Sequence, residues 1–360
     1  MIMKNNRWIA LGMSAVMALG LAACGSAGSS TGSSTAGAAD STAATESTAA
    51  AGNSAAAGAS EAAPAASDRK FTVGVLQLVQ HPALDAATQG FVDVLKETYG
   101  DNVTIDSQNA AGDSATCATI ANTFVSNKYD LIMANATPAL QAAAAATSDI
   151  PVLGTSVTEY GVALGIDNFS GTVGTNVSGT SDLAPLDQQA AMFAEILPDA
   201  KKIGILYCSG EPNSVYQADV VKDALEKAGD TVTVYTFTDS NDVASVAQTA
   251  CSENDALYIP TDNTAASCAE TIDNVAKPAG VPIIVGEEGI CKGCGIATLS
   301  IDYTQLGRKT GEMAVKILNG EEKVSEMPIE YYDNPVKEYD KDRCEALGIT
   351  VPDGYQPIAE

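Results

Sequence analysis

Two periodicities alternate along most of this chain. Phe71-Thr-Val-Gly-Val-Leu-Gln-Leu78 is a short apolar run with the density of a buried strand. From about Pro82 to Tyr99, Leu84, Ala87, Phe91, Val94 and Leu95 recur at helical spacing, with Pro82 suited to the first turn. Val103-Thr-Ile105 predicts a second strand. Cys117–Asn127 predicts a second helix, with Ile120, Phe124 and Val125 on its apolar face. Asp130-Leu-Ile-Met-Ala134 reads as a third strand, followed after Asn135-Ala-Thr-Pro138 by an Ala-rich helix. Ile150-Pro-Val-Leu-Gly154 reads as a fourth strand.

The same plan is then written again. Lys202-Ile-Gly-Ile-Leu-Tyr207 matches Thr72–Gln77, and a helix from about Ser214 to Ala228 turns Val215, Ala218, Val221 and Leu225 inward. Thr231–Tyr235 is the next strand. Asp255–Ile259 matches Asp130–Ala134, and Val281–Gly286 matches Ile150–Gly154, both with proline second, where a strand's start tolerates it. Alternating strands and helices imply parallel sheets with right-handed crossovers. The predicted fold class is α/β, with two doubly wound parallel-sheet lobes joined by hinge strands and a cleft between them. After the second repeat, Tyr303–Leu318 predicts a helix and Met327–Tyr332 a strand. The expected organisation is a first lobe of residues 68–182 plus 302–323 and a second of 183–301 plus 324–360, with two or three strands crossing between them.

The N-terminus has a different character. Lys4 and Arg7 precede an uncharged run from Trp8 to Gly20 that is too short to span a bilayer, and small residues follow it. This marks a secretory signal over 1–23. Leu21-Ala-Ala-Cys24 resembles the lipobox of bacterial lipoproteins, where cleavage precedes the cysteine. The expectation is lipid attachment at Cys24 and a location on the extracytoplasmic face of the cell membrane, anchored to it rather than through it. Residues 24–67 are almost entirely Gly, Ser, Ala and Thr after the cysteine, with no aromatic residue. Such a segment buries too little to offset its ordering entropy and reads as a tether spanning on the order of 35–40 Å.

Charge narrows the function. With 45 acidic against 19 basic residues and no basic stripe, nucleic-acid binding is excluded; the acidity suits solubility outside the cell. Seven cysteines remain beside Cys24, an odd number, so they cannot all pair internally. Cys291-Lys-Gly-Cys294 is a CxxC, but zinc would need two further ligands and the chain's one histidine is His81. A turn disulfide or free thiols are the expected states, with no metal and no cofactor. There is no GxSxG, Walker loop, HExxH or GxGxxG, so the chain is not expected to be an enzyme.

In open parallel sheets, ligands bind beyond the carboxyl ends of the strands, and those ends are readable here. The first lobe offers Leu78, the Val79-Gln-His-Pro82 loop with His81 and Pro82, Asn135-Ala-Thr137, and Thr155-Ser-Val-Thr158 with Ser156. The second offers Ser209-Gly-Glu-Pro-Asn-Ser214, Thr261-Asp-Asn-Thr264 and Glu287-Glu-Gly289. Several of these loops open helices, whose free N–H groups bind carboxylates. Thr137 and Ser214 are the leading carboxylate contacts. Asp262 and Glu287 are candidate ammonium acceptors, with Asn213 and Asn263 beside them, so the set would recognise a zwitterion. Helix N-capping accounts for any one of these residues equally well. Leu78, Pro82, Tyr160, Tyr207 and Tyr216 are candidates for an apolar wall, and Asp302-Tyr303 lies near a crossing.

These loops, read with the lipobox, resemble one family across nearly all of 70–350. The matching segments are Gln77–Asp85, Asn135–Pro138, Gly174–Gly179, Ser209–Ser214, Pro260–Thr264 and Ile301–Arg308. The chain is similar to the substrate-binding lipoproteins of ABC importers of the tryptophan/tyrosine type. That resemblance implies a class-I periplasmic-binding-protein-like fold and an aromatic amino acid, or a related small solute, as ligand. It also implies delivery to an ABC permease. The alternative is a sugar or signal-molecule binder feeding a sensor. The CxxC is not part of the resembling pattern.

Overall fold

The computed structural model describes residues 69–358 apart from Asp333. The expected signal segment, the tether and Cys24 lie outside the described residues. No helix among the described residues is long and apolar enough to cross a membrane.

The first lobe runs β1 (Phe71–Gln77), α1 (Pro82–Tyr99), β2 (Val103–Asn109), α2 (Ser114–Ser126), β3 (Leu131–Asn135), α3 (Thr137–Ala146), β4 (Val152–Val157), α4 (Tyr160–Leu164) and β5 (Val177–Ser181). The second runs α5 (Leu186–Ile196), β6 (Lys202–Cys208), α6 (Pro212–Ala228), β7 (Thr231–Phe237), α7 (Val243–Glu253) and β8 (Ala256–Ile259). It continues through α8 (Asn263–Ser267), α9 (Ala269–Ala279), β9 (Ile283–Val285), α10 (Glu288–Cys294) and β10 (Ala297–Ser300). The tail adds α11 (Tyr303–Leu318), β11 (Glu330–Tyr331), β12 (Val336–Tyr339), α12 (Lys341–Leu347) and β13 (Gln356–Pro357).

The two sheets repeat one order. The first is β2-β1-β3-β4-β5-β11 and parallel throughout; the second is β7-β6-β8-β9-β10-β12-β13, in which β12 runs antiparallel to β10. Helices cover both faces, so β3 and β4 are buried along their whole length. Helix α11 returns to the first lobe and packs on α1 at backbone distance. A Cβ at Gly307 would stand 1.9 Å from the Ala87 carbonyl oxygen, and one at Gly90 would stand 2.2 Å from that of Thr304. Only glycine permits that approach.

One boundary moves. The segment from 324, expected in the second lobe, stays with the first as far as Tyr332. Met327 and Ile329 bury in first-lobe cores, the Ser178 hydroxyl donates to the Met327 carbonyl at 3.0 Å, and β11 pairs with β5. The strand expected over Met327–Tyr332 shrinks to Glu330–Tyr331 because pairing begins only there. Three segments therefore cross between the lobes, after Ser181, Ser300 and Tyr331.

Candidate functional site

Each sheet reverses its order beside its first strand, between β1 and β3 and between β6 and β8. At such a switch point the connecting helices leave on opposite faces, which opens a crevice beyond the strand ends. The first crevice receives the 78–82 loop and the start of α3; the second receives the 209–214 loop and the start of α8. The two meet across the seam, where His81 Nε2 lies 3.3 Å from Asn263 Oδ1. His81, Thr137, Asn213, Ser214, Asp262 and Asn263 are all buried there.

The second-lobe side is built around Glu211, which the sequence reading quoted in its motif but did not single out. Its Oε2 accepts the backbone N–H of Asn263 at 3.0 Å and the Asn263 side-chain amide at 2.6 Å. Its Oε1 accepts the backbone N–H of Thr264 at 2.9 Å and that residue's hydroxyl at 2.7 Å. One carboxylate thus ties the start of α6 to the start of α8. Asp262 caps α8: Oδ1 accepts from Ala265 N–H and Oδ2 from Cys208 N–H, both at 2.7 Å. Burial, and then the neighbouring Glu211 charge, push its carboxyl up to about 7. Asn213 donates to the Thr261 carbonyl at 3.0 Å, while its own Oδ1 is buried without a hydrogen bond.

This wiring reaches across the seam. Glu211 holds the amide nitrogen of Asn263, so the amide oxygen faces His81. Burial lowers the imidazole's affinity for a proton, against the opposing pull of Asn263, Glu211 and Asp85. In the neutral ring, an acceptor at Nε2 selects the Nε2–H tautomer. Nδ1 is then a bare acceptor, buried and without a partner.

The first-lobe side carries backbone strain. Ala136, between β3 and α3, has φ 91°, and Ser156 near the end of β4 has φ 53°; both are non-glycine residues in the left-handed half of the map. Strain of this kind gathers at ligand sites. With alanine at the N-cap, α3 has no side-chain cap and leads with the N–H of Thr137. At Ser156 the turned backbone interrupts the β4–β5 register, and the serine hydroxyl is buried without a hydrogen bond. Asn135 is spent on its own lobe, its amide donating to the Leu84 carbonyl and the Thr88 hydroxyl, although its Oδ1 is unpaired.

Towards the crossings, Glu287 caps α10, accepting the N–H of Gly289 at 2.6 Å and that of Ile290 at 2.5 Å. Burial pushes its carboxyl up to about 7. Across from it Asp182, just past β5, accepts the Tyr303 hydroxyl on Oδ2 at 3.0 Å, and its Oδ1 has no partner. Two openings flank this seam. One cavity of about 250 Å³ is lined by Leu78, Val79 and Pro138 from the first lobe and Cys208, Glu211 and Thr264 from the second. The other, about 520 Å³, lies on the side of the crossings and is lined by Pro82, Glu287, Asp302, Tyr303 and Glu338 among others.

The expected site residues therefore divide. His81, Thr137, Asn213, Ser214, Asp262 and Asn263 occupy the seam at the switch points. Leu78 lines the smaller cavity, and Pro82 and Glu287 line the larger. Ser156 sits on the first-lobe edge. Tyr160 is a core residue: its ring packs under Gly154 and Gly179, and its hydroxyl donates to the Thr180 carbonyl at 3.0 Å. Tyr207 is likewise buried in a second-lobe core, with Tyr216 packed against it at the margin. The seven cysteines among the described residues carry free thiols, and burial drives those of Cys291 and Cys294 well up, which leaves them poor nucleophiles.

Comparison with known proteins agrees with this architecture. The family model for ABC transporter substrate binding proteins matches residues 72–357. The tyrosine-binding protein of Clostridioides difficile (strain R20291) is 38% identical over 286 residues, covering 79% of this chain and 82% of that protein. Among solved structures, the Streptococcus pneumoniae ABC domain in complex with L-Trp is similar at 35% identity and TM-score 0.76, covering 80% of this chain and 100% of the other. A ligand-free, open substrate-binding protein with adhesive properties from Clostridium difficile is 41% identical with TM-score 0.61, covering 80% and 99%.

Proposed function

This chain belongs to the ABC transporter substrate-binding protein family, and within that role we propose that its ligand is an aromatic amino acid, tyrosine or tryptophan first. It is an α/β protein of the class-I periplasmic-binding-protein-like fold, and its relatives are solute-binding proteins rather than enzymes. The observation that carries the ligand reading is the row of buried polar atoms without partners at one seam: His81 Nδ1 and Ser156 Oγ from the first lobe and Asn213 Oδ1 from the second. Buried polar groups are normally satisfied, so such a row suits a small polar ligand. Two named relatives bind tyrosine or tryptophan.

The lobes here superpose better on the tryptophan complex than on the open protein, TM-score 0.76 against 0.61, in keeping with a closed form whose seam residues touch. In this reading the uncapped start of α3, with Thr137, takes the ligand carboxylate, and Ser156 adds a hydroxyl. Leu78 and Pro138 flank the ring in the smaller cavity. Asp262 and Glu287 hold helix starts in place. Closure then creates the surface that an ABC permease recognises. The chain is exported, cleaved before Cys24 and lipid-anchored outside the cell membrane; mass spectrometry of the mature protein should find a lipid-modified Cys24 at its N-terminus, and an unmodified N-terminus elsewhere would count against the anchor.

A thermal-shift panel of amino acids and sugars tests the ligand. Tyrosine, tryptophan or phenylalanine should raise Tm, by about 2.7 kcal/mol of added stability at a hundred times Kd. A response to sugars alone would overturn the reading.

A further inference from the structure

We propose that Asp182 is the residue that holds the ligand's positively charged group. It occupies the first crossing between the lobes, where it joins ligand capture to closure. The proposal rests on the amino-acid reading for the ligand's identity, but its own evidence is independent of it.

Among the described residues four carboxylates are buried, Asp182, Glu211, Asp262 and Glu287, and no lysine or arginine is. A buried charge needs a partner of opposite sign or a full set of hydrogen bonds. Three of the four have that set. Both oxygens of Glu211 accept from the start of α8, both of Asp262 from Cys208 and Ala265, and both of Glu287 from Gly289 and Ile290. Asp182 alone does not. Its Oδ2 accepts from Tyr303, while its Oδ1 is buried with no donor. Burial drives its carboxyl upward, the Tyr303 and Thr158 hydroxyls and its own backbone N–H pull it back in part, and no lysine or arginine acts on it. An ammonium supplies what is missing: a positive charge with three N–H donors.

Its position suits the role. The backbone N–H of Asp182 donates to the Val157 carbonyl at 3.4 Å, which sets it at the edge of the first lobe beside Ser156, another buried group without a partner. Glu287 faces it from the second lobe, close enough for the Asp182 charge to add to the upward shift of the Glu287 carboxyl. Tyr303, its hydroxyl donor, opens α11 directly after the second crossing. The Asp182–Tyr303 hydrogen bond therefore ties two of the three crossing segments. A cation on Oδ1 would neutralise the seam there and favour the closed form.

The test is calorimetry on the mature protein with L-tyrosine, L-tryptophan, tyramine, which lacks the carboxylate, and hydroxyphenylpropionate, which lacks the amine. Wild-type protein should prefer its best amine ligand over hydroxyphenylpropionate by about a hundredfold or more, and Asp182→Asn should lose about that much affinity for amines while gaining none for the acid. Asp182→Asn that melts like wild type and binds amines within about threefold of it would overturn the proposal. If Asp182→Asn does not fold, the wild-type comparison decides alone: equal binding of the acid and the amine overturns it. Binding of tyramine but of no amino acid, abolished in Asp182→Asn, would remove the amino-acid reading and still support Asp182.

Discussion

The two lobes share one strand order but finish their binding edges in opposite ways. At the second-lobe edge, α8 and α10 are capped by their own carboxylates, Asp262 and Glu287, and Glu211 ties α6 to α8. At the first-lobe edge, α1 and α3 have no side-chain cap, Ala136 and Ser156 hold positive φ, and His81 and Ser156 keep unpaired polar atoms. The second edge leaves only Asn213 Oδ1 unpaired among these loops, and the first has more hydrogen-bonding capacity to spare. A duplicated fold can thus assign rigidity to one copy and ligand chemistry to the other, because the edge loops change without disturbing either sheet.

The largest effect expected from this contrast is in the second lobe. Glu211→Ala strands two backbone N–H groups, an amide and a hydroxyl, and should cost on the order of 3–5 kcal/mol. That corresponds to a fall in Tm of roughly 10 °C for a chain of this size, read by calorimetry. A fall of less than about 2 °C would mean that the second edge is not the rigid one.

Ser156→Ala sharpens the other side. It should lower amino-acid affinity about tenfold while leaving Tm unchanged or higher, since the hydroxyl it removes has no partner within the protein. Ser156→Gly should add about 1 kcal/mol of stability by relieving the positive φ, with a similar loss of affinity. If either variant binds as wild type does, Ser156 is not a ligand contact.

Next is pH. The Asp262 and Glu287 carboxyls rise to about 7 on folding, from about 4 in an unfolded chain. A carboxyl raised on folding stabilises below the unfolded value, and that contribution is lost as pH climbs through the folded one. Against Glu287→Gln, which does not titrate, wild-type Tm should therefore decline between about pH 4 and about pH 7. A difference that stays constant with pH would show Glu287 to be ionised throughout. The smallest effect is expected far from the seam: Lys222→Ala breaks an exposed ion pair with Glu226 and should change stability by no more than about 0.5 kcal/mol.

How far the sequence could be read depended on whether the signal was local. β1, β3, β6 and β8 are continuous apolar runs because helices bury both of their faces, and they stand out. β5, Val177-Ser-Gly-Thr-Ser181, does not, although it is wholly buried. Its hydroxyls are satisfied by Met327, Thr310 and Thr158, the first two more than a hundred residues away, so nothing nearby marks it as interior. The crossing after Tyr331 was hidden for the same reason, since only pairing with β5 keeps that segment in the first lobe. In the site, the loops were legible because they are strand ends. The division between capping and ligand-facing residues was not, because Glu211 finds Asn263 52 residues away. A glutamate just before Pro212 was the available hint.

The sequence by itself therefore determined the duplicated α/β plan, the loops that meet at the cleft and the export signature, all written in short-range periodicity and composition. The tertiary structure decided which polar residues are already satisfied and which are left over. Hydrogen bonding and burial are settled between residues far apart in the chain, and an unpaired oxygen such as that of Asp182 is defined by every neighbour that fails to reach it.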